Sequence, residues 1–156
     1  MKYHWNYLKY VVRHKWFVLV AGRKTGAPLF RLLIHDFSKF SRAEWTPYVN
    51  RFSKGRAGVL DKDADPDEFH LAWNHHWHRN PHHWEYWIMF YNGGSIKPLE
   101  MPYKYANEML ADWAGAGRAI AGEWKVAEWY ERNKERIQLH PTTRGYVESV
   151  LRDIKW

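Results

Sequence analysis

Leu29-Phe30-Arg31-Leu32-Leu33-Ile34-His35-Asp36-Phe37-Ser38-Lys39-Phe40 is the stretch on which the reading of this chain turns. Pro28 just before it suits a first helical position. Leu29, Leu32, Leu33, Asp36 and Phe37 then recur at intervals of three and four, so the segment reads as an amphipathic helix that carries His35 and Asp36 toward the interior. Adjacent helical residues project about 100° apart and can ligate one ion lying between their directions. Lys39, one turn beyond, would bring an ammonium to a phosphate oxygen beside that ion; its bland alternative is a solvated helix end.

Toward the N-terminus, Tyr3, Tyr7, Tyr10, Val11, His14, Phe17, Val18 and Ala21 keep the same period and predict a helix over 2–21 with His14 on its inner face. Gly22 to Gly26 should end it. On the other side, Ser41 and Glu44 form a capping box, which starts a helix running to about Phe52, before a loop over Gly55 to Asp65. Asp65, Pro66 and Glu68 repeat the start signal, and Phe69, Ala72, Trp73 and His76 share one face until Asn80-Pro81 breaks the helix.

Residues 86–91 and 96–100 flank Asn92-Gly93-Gly94-Ser95, the only strand signal, read as a short hairpin or an irregular flap. Pro102 opens a helix with Tyr105, Glu108, Met109 and Asp112 on one side, which Gly115, Gly117 and Gly122 should weaken. Two more helices are expected near 125–137 and 141–153. The class is therefore all-α with a short β-hairpin within 86–100. With 156 residues and no repeat, low-complexity stretch or linker, residues 1–156 should form one compact domain.

Composition narrows the chemistry. There is no cysteine, so a disulfide framework, a thiolate nucleophile and a thiolate metal site are excluded, and a metal must be held by His, Asp or Glu. The net charge of +7 favours anionic partners. The early apolar run Trp16 to Ala21 falls far short of the ~20 residues of a membrane span, and Met1 to Arg13 lacks a cleavable signal pattern. A cytoplasmic protein with no membrane partner is the expectation. Eleven Trp and ten Tyr can supply stacking platforms, but in a domain this size aromatics more often fill the core.

Six of the ten histidines lie at 70, 75, 76, 78, 82 and 83, a density that packing alone does not call for. A lone histidine on an apolar face is usually a hydrogen-bonded core residue. Here His14, His35, Asp36, His76 and Asp112 all fall on inward stripes of predicted helices, where ionisable groups are costly unless paired or metal-bound. A central cation removes that cost for several at once.

The order His14, His35-Asp36, His76, His82-His83, Asp112 resembles the HD superfamily of metal-dependent phosphohydrolases. Its branch that degrades cyclic dinucleotides carries His-Asp-x-Gly-Lys, where this chain has Ser38 in place of the glycine. The Gly-Tyr-Pro signature of that branch is missing, and Tyr10 stands where an acid would support a third metal, so cyclic-dinucleotide specificity is not implied. A closer resemblance, to a family of short phage and bacterial proteins without an assigned substrate, covers nearly the whole chain. It is carried by His35-Asp36-x-Ser38-Lys39-Phe40, by Ala72-Trp73-x-x-His76-x-x-x-Asn80-x-His82-His83, by Glu108-Met109-x-x-Asp112-Trp113 and by Trp129-Tyr130.

These resemblances imply an HD-like helical domain acting in a cytoplasm, that of the host if phage-encoded. They imply one or two divalent ions, Mn, Fe, Ni, Co, Zn or Mg, held by His14, His35, Asp36, His76, His82, His83 and Asp112. In the one-metal arrangement His14, His35, Asp36 and Asp112 hold the ion, while His76, His82 and His83 lie over the substrate or hold a second ion bridged by Asp36. The expected substrate is a nucleotide or similar small phosphoester, attacked by water whose pKa the ion lowers from ~15.7 toward ~7. Asp36, Lys39 and Glu108 are the candidate catalytic residues, and Lys39, His78 and Arg118 the candidate substrate contacts. Glu108 has a second reading, as a surface acid paired with Lys104. Trp73, Trp77, Trp84 and Trp87 wall the pocket or fill the core. Two other functions compete: a di-iron oxygenase, which needs the same ligands, and a non-catalytic basic module for nucleic acid or protein, in which the histidine cluster is a structural metal site or a polar core.

Overall fold

The computed structural model describes residues 2–52, 61 and 64–156. Among them the chain forms seven α-helices and one two-stranded sheet, so the all-α class with a short hairpin is correct. The expected loop over Gly55 to Asp65 lies largely outside the described residues.

Two long helices make the frame. α1 (Lys2–Thr25) packs along α5 (Tyr103–Ala121) more extensively than any other pair of elements. Gly115 permits this approach, because a Cβ there would sit 2.7 Å from the backbone nitrogen of Val18. Gly22 likewise stands inside α1, where a Cβ would collide with the Leu32 side chain. Both glycines were expected to stop or weaken a helix, and both instead lie within one. The cost of a helical glycine, roughly 0.5–1 kcal/mol relative to Ala, is offset by the close contact it admits.

Around this frame lie α2 (Leu29–Ile34), α3 (Arg42–Arg51), α4 (Pro66–Arg79), α6 (Val126–Asn133) and α7 (Pro141–Asp153). Asp65 caps α4 by accepting from the Asp67 N–H at 2.9 Å, with Pro66 at the first helical position as predicted. β1 (Ile88–Phe90) pairs antiparallel with β2 (Ile96–Pro98) across the Asn92-Gly93-Gly94-Ser95 turn, with Met89 opposite Lys97. The side chains separate into two apolar clusters. The larger joins α1, α5, α6 and α7 through Val18, Leu110, Ala114, Tyr130 and Val147; the smaller holds Tyr7, Val11, Tyr48, Val49 and Ala72. On α1, Val11, His14 and Val18 lie in register on one stripe, so His14 stands where the two clusters meet.

The stretch Leu29 to Phe40 differs most from expectation. α2 stops at Ile34; His35 is extended (φ −47°, ψ 129°), and Asp36 is left-handed (φ 56°, ψ 23°) before a 3-10 turn over Phe37–Phe40. Leu33 and Phe37, assigned to an inward stripe, are 59% and 70% exposed. The Lys15 ammonium explains the early stop, since it donates to the carbonyls of Leu33 and His35 and so satisfies the helix end. Asp36 is the one non-glycine residue at positive φ among those described, a conformation costing roughly 1–2 kcal/mol. That break, not a helical 100° offset, turns both His35 and Asp36 inward, each 1% exposed.

Candidate metal centre

Five parts of the fold converge on the junction of the two apolar clusters. α1 delivers His14, the break after α2 delivers His35 and Asp36, and α4 delivers His76. The segment following Asn80-Pro81 delivers His82 and His83, and α5 delivers Asp112. His14, His35, Asp36, His76 and His82 are all at most 1% exposed, whereas the side chain of Asp112 is 14% and that of His83 11% exposed. The opening to solvent therefore lies on the Asp112 and His83 side.

The donor atoms form two sets that share Asp36. In the first, His14 Nε2 lies 3.4 Å from Asp36 Oδ2, 3.1 Å from Asp112 Oδ1 and 3.4 Å from His35 Nε2. His35 Nε2 is in turn 3.4 Å from both carboxylate oxygens. In the second, Asp36 Oδ1 lies 3.3 Å from His76 Nε2 and 3.4 Å from His82 Nε2, and His83 Nε2 is 3.0 Å from His76 Nε2. Nitrogen and oxygen ligands about 2.0–2.2 Å from a divalent ion stand about 2.9–3.5 Å apart at the edges of an octahedron or tetrahedron. The distances given within both sets fall in this range, and all donor atoms of each set lie within 4.8 Å of one another. Asp36 Oδ1 and both ring nitrogens of His82 are buried without a hydrogen-bond partner, and an orphaned carboxylate oxygen beside an orphaned imidazole fits a cation better than a polar core.

A second ring of carboxylates fixes the tautomers. His35 Nδ1 and His82 Nδ1 lie 3.1 and 3.2 Å from Glu108 Oε1, and His76 Nδ1 lies 2.7 Å from Glu44 Oε2. A carboxylate accepts only a proton-bearing Nδ1, which leaves the Nε2 lone pairs of His35 and His76 facing the junction; the His82 ring lies beside Glu108 without a hydrogen bond. Arg31 Nε donates to Glu108 Oε2 at 2.7 Å, and Asn80 donates to Ser38 Oγ at 2.8 Å beside His76. His35, His82 and Glu108 also lie close enough to hold an ion themselves, but with Arg31 on Glu108 that carboxylate serves as acceptor to the rings. The Lys39 ammonium donates to Asp36 Oδ2 at 2.5 Å and lies over the Tyr48 ring.

Burial opposes every charge here, and the outcome depends on partners. Burial raises the Asp36 carboxyl, but His35, Lys39 and His76 together hold it well below the usual carboxylate range. Asp112 is also lowered, because His14 and His35 outweigh its burial. Glu108 falls to about 2, since the hydrogen-bonded His35 ring and the neighbouring His82 ring outweigh its burial. Burial pushes His14, His35, His76 and His82 down, but the surrounding carboxylates leave all four raised. His83 behaves oppositely: burial and the neighbouring His82 and His76 depress it well below the ordinary histidine value, which keeps its ring neutral.

All seven predicted ligands, His14, His35, Asp36, His76, His82, His83 and Asp112, thus meet at one junction, with Lys39 bound to Asp36. Glu108 is fully buried and holds two histidine rings, which removes its reading as a surface acid paired with Lys104. Two predicted substrate contacts are not brought there. His78 is exposed on the outer side of α4, stacked on Trp77 and 2.8 Å from the Asn74 carbonyl, because two residues beyond His76 a helix points away. The Arg118 guanidinium donates to the Gly122 carbonyl at the end of α5 and lies over Phe17 and Trp124.

Sequence reasoning missed Glu44. The capping box placed the start of α3 correctly, but Ser41 makes no side-chain cap, and Glu44 turns inward to hold His75 and His76 at 2.7 Å each. Its spacing to Tyr48 and Phe52 on the inner stripe of α3 was the available signal.

A family model described as a family of unknown function (DUF5662) matches residues 3–153. No curated protein and no solved structure matches the chain.

Proposed function

The chain belongs to the DUF5662 family of unknown function, and we propose that it is a metal-dependent phosphohydrolase acting on a nucleotide or related small phosphoester. The observation that carries this reading is the shared Asp36 carboxylate, with one oxygen in each of two donor sets whose edges match those around a divalent ion. His14, His35, Asp36 and Asp112 would hold one ion, and Asp36, His76, His82 and His83 a second. Neither donor type nor spacing selects among Mn, Fe, Ni, Co, Zn and Mg, although a histidine-rich set leans toward transition metals. When bound, such ions supply Lewis acidity and a water of lowered pKa.

The chain's own residues would do the rest. Glu44 and Glu108 keep the imidazole lone pairs aimed inward. Among the described residues the Lys39 ammonium is the only Lys or Arg group hydrogen-bonded to a side chain of these ligands, and it can swing from Asp36 to a phosphoryl oxygen as negative charge grows there. His83, kept neutral at the open edge, can accept or relay a proton where it is not needed as a ligand. The half-exposed wall of Trp73, 5.1 Å from the His83 ring, limits water on that side.

Metal analysis of protein purified without a histidine tag, followed by a phosphate-release screen over nucleoside phosphates and simple aryl phosphoesters with each divalent ion, tests the reading. Bound metal that Asp36→Ala abolishes, together with turnover of at least one phosphoester, is expected. Metal binding with no phosphoester turned over under any ion would overturn the hydrolase assignment; iron content with oxygen consumption would replace it by a di-iron oxygenase.

A further inference from the structure

The charge of the chain is segregated. Residues 1–43 contain nine Lys and Arg and a single acid, Asp36, whereas residues 44–156 contain 15 Lys and Arg against 16 Asp and Glu. The whole cationic surplus therefore lies on α1, α2 and the turn that follows. Since Asp36 is 1% exposed, residues 1–43 present no anionic side chain to solvent.

The same face is strongly apolar. On α1, Trp5, Val12 and Trp16 recur along one outward stripe at 57%, 57% and 60% exposure, interleaved with the exposed cations Lys9, Arg13 and Arg23. α2 adds Phe30 and Leu33 at 69% and 59%, and the turn after it adds Phe37 at 70%. The Lys15 hydrogen bonds to the Leu33 and His35 carbonyls fasten the two elements together, so the α1 stripe and the α2 side chains form one surface. Scattered apolar residues on a surface need no explanation; a rigid face of Trp, Phe and Leu set among cations does.

We propose that this face docks on an anionic lipid surface, with α1 lying in the plane of the headgroups and the α2 side chains entering the acyl boundary. No described helix is long and apolar enough to cross a membrane, so docking is peripheral. Lipid is the occupant because it offers both things the face presents. Headgroup phosphates meet the cations, and the acyl region receives Phe30, Leu33 and Phe37. A second copy of the chain would set two uniformly cationic faces against each other. A nucleic acid would satisfy the cations and leave the aliphatic side chains in water.

Cosedimentation with phosphatidylcholine vesicles, with and without phosphatidylglycerol, tests this in the full chain, and the outcome is independent of any catalytic activity. The chain is expected to partition onto the anionic vesicles alone and to be released by salt. Phe30→Glu with Leu33→Glu should weaken partitioning at least ~10-fold, as should Arg13→Glu with Arg23→Glu, with unchanged circular dichroism and melting in both. Three results would overturn the proposal. One is no binding to anionic vesicles. Another is a dimer in light scattering that the Phe30 and Leu33 changes dissociate. The third is duplex DNA that displaces the vesicles and whose own binding survives those changes.

Discussion

Asp36 and the two carboxylates behind the histidines, Glu44 and Glu108, decide the chemistry at the scale of single residues. Glu108→Gln leaves the volume but only one acceptor oxygen for the His35, His82 and Arg31 groups, with an amide donor in place of the other. Metal affinity should fall ~10–100-fold, and stability by ~1–3 kcal/mol as the partly buried Arg31 or a buried ring loses its acceptor. Calorimetric metal titration and denaturant unfolding read the two separately. Unchanged affinity would mean that the tautomer argument is wrong. Glu44→Gln should weaken the His76 side alone, so that one ion is lost and the other kept. The ligand residues were legible because ionisable side chains on apolar stripes are unusual enough to stand out singly. Of their carboxylate partners, Glu44 was hidden because it also satisfied the pattern of a helix cap, whereas Glu108, one turn before Asp112, stood out as a site candidate although its spacing equally fitted a surface pair with Lys104.

Among the elements, the break after α2 is the feature that periodicity could not reveal. Leu29, Leu32, Leu33 and Phe37 keep a helical spacing, yet only Leu32 is buried, and the hydrogen bonds from Lys15, 18 and 20 residues earlier, end the helix before Phe37. A contact so remote in sequence leaves no local trace. Lys15→Met should therefore loosen the His35-Asp36 geometry without touching a ligand, lowering metal affinity more than melting temperature. If both remain at wild-type values, the lysine is not what ends the helix. The crossing of α1 and α5 makes a plainer prediction. At Gly115 even a methyl must displace the Val18 backbone, so Gly115→Ala should destabilise by ~1–3 kcal/mol in denaturant unfolding despite the better helix propensity of alanine. A neutral or stabilising result would show that the two helices can part at no cost. The hairpin and the starts of α4 and α7 were legible because Asn-Gly-Gly-Ser and residue-Pro cap signals act within a few residues.

For the molecule as a whole, the titrations set opposite limits. His14, His35, His76 and His82 have folded pKa values above 6.5, so what they contribute to metal-free stability is complete below pH 6.5 and is lost as pH rises through the raised values. Glu108 titrates at about 2 instead of 4.5, and Asp36 and Asp112 are below 3.8. Their contribution is complete above about pH 4.5 and is lost as pH falls. Metal-free protein should melt highest between about pH 4.5 and 6.5. Metal must displace the histidine protons, so loading should release protons and move the maximum upward. Melting curves across pH with and without chelator measure this, and identical maxima in the two states would contradict it.

Lys39 gives the centre an internal substitute for its cation. By sitting on Asp36 it spares that buried carboxylate from standing uncompensated when no ion is present, so the domain has no need of metal in order to fold. Apoprotein prepared with chelator should accordingly remain helical and cooperative, and uptake of metal should then proceed as an exchange in which the incoming ion takes the place of the lysine on Asp36 and frees its ammonium for an anionic substrate.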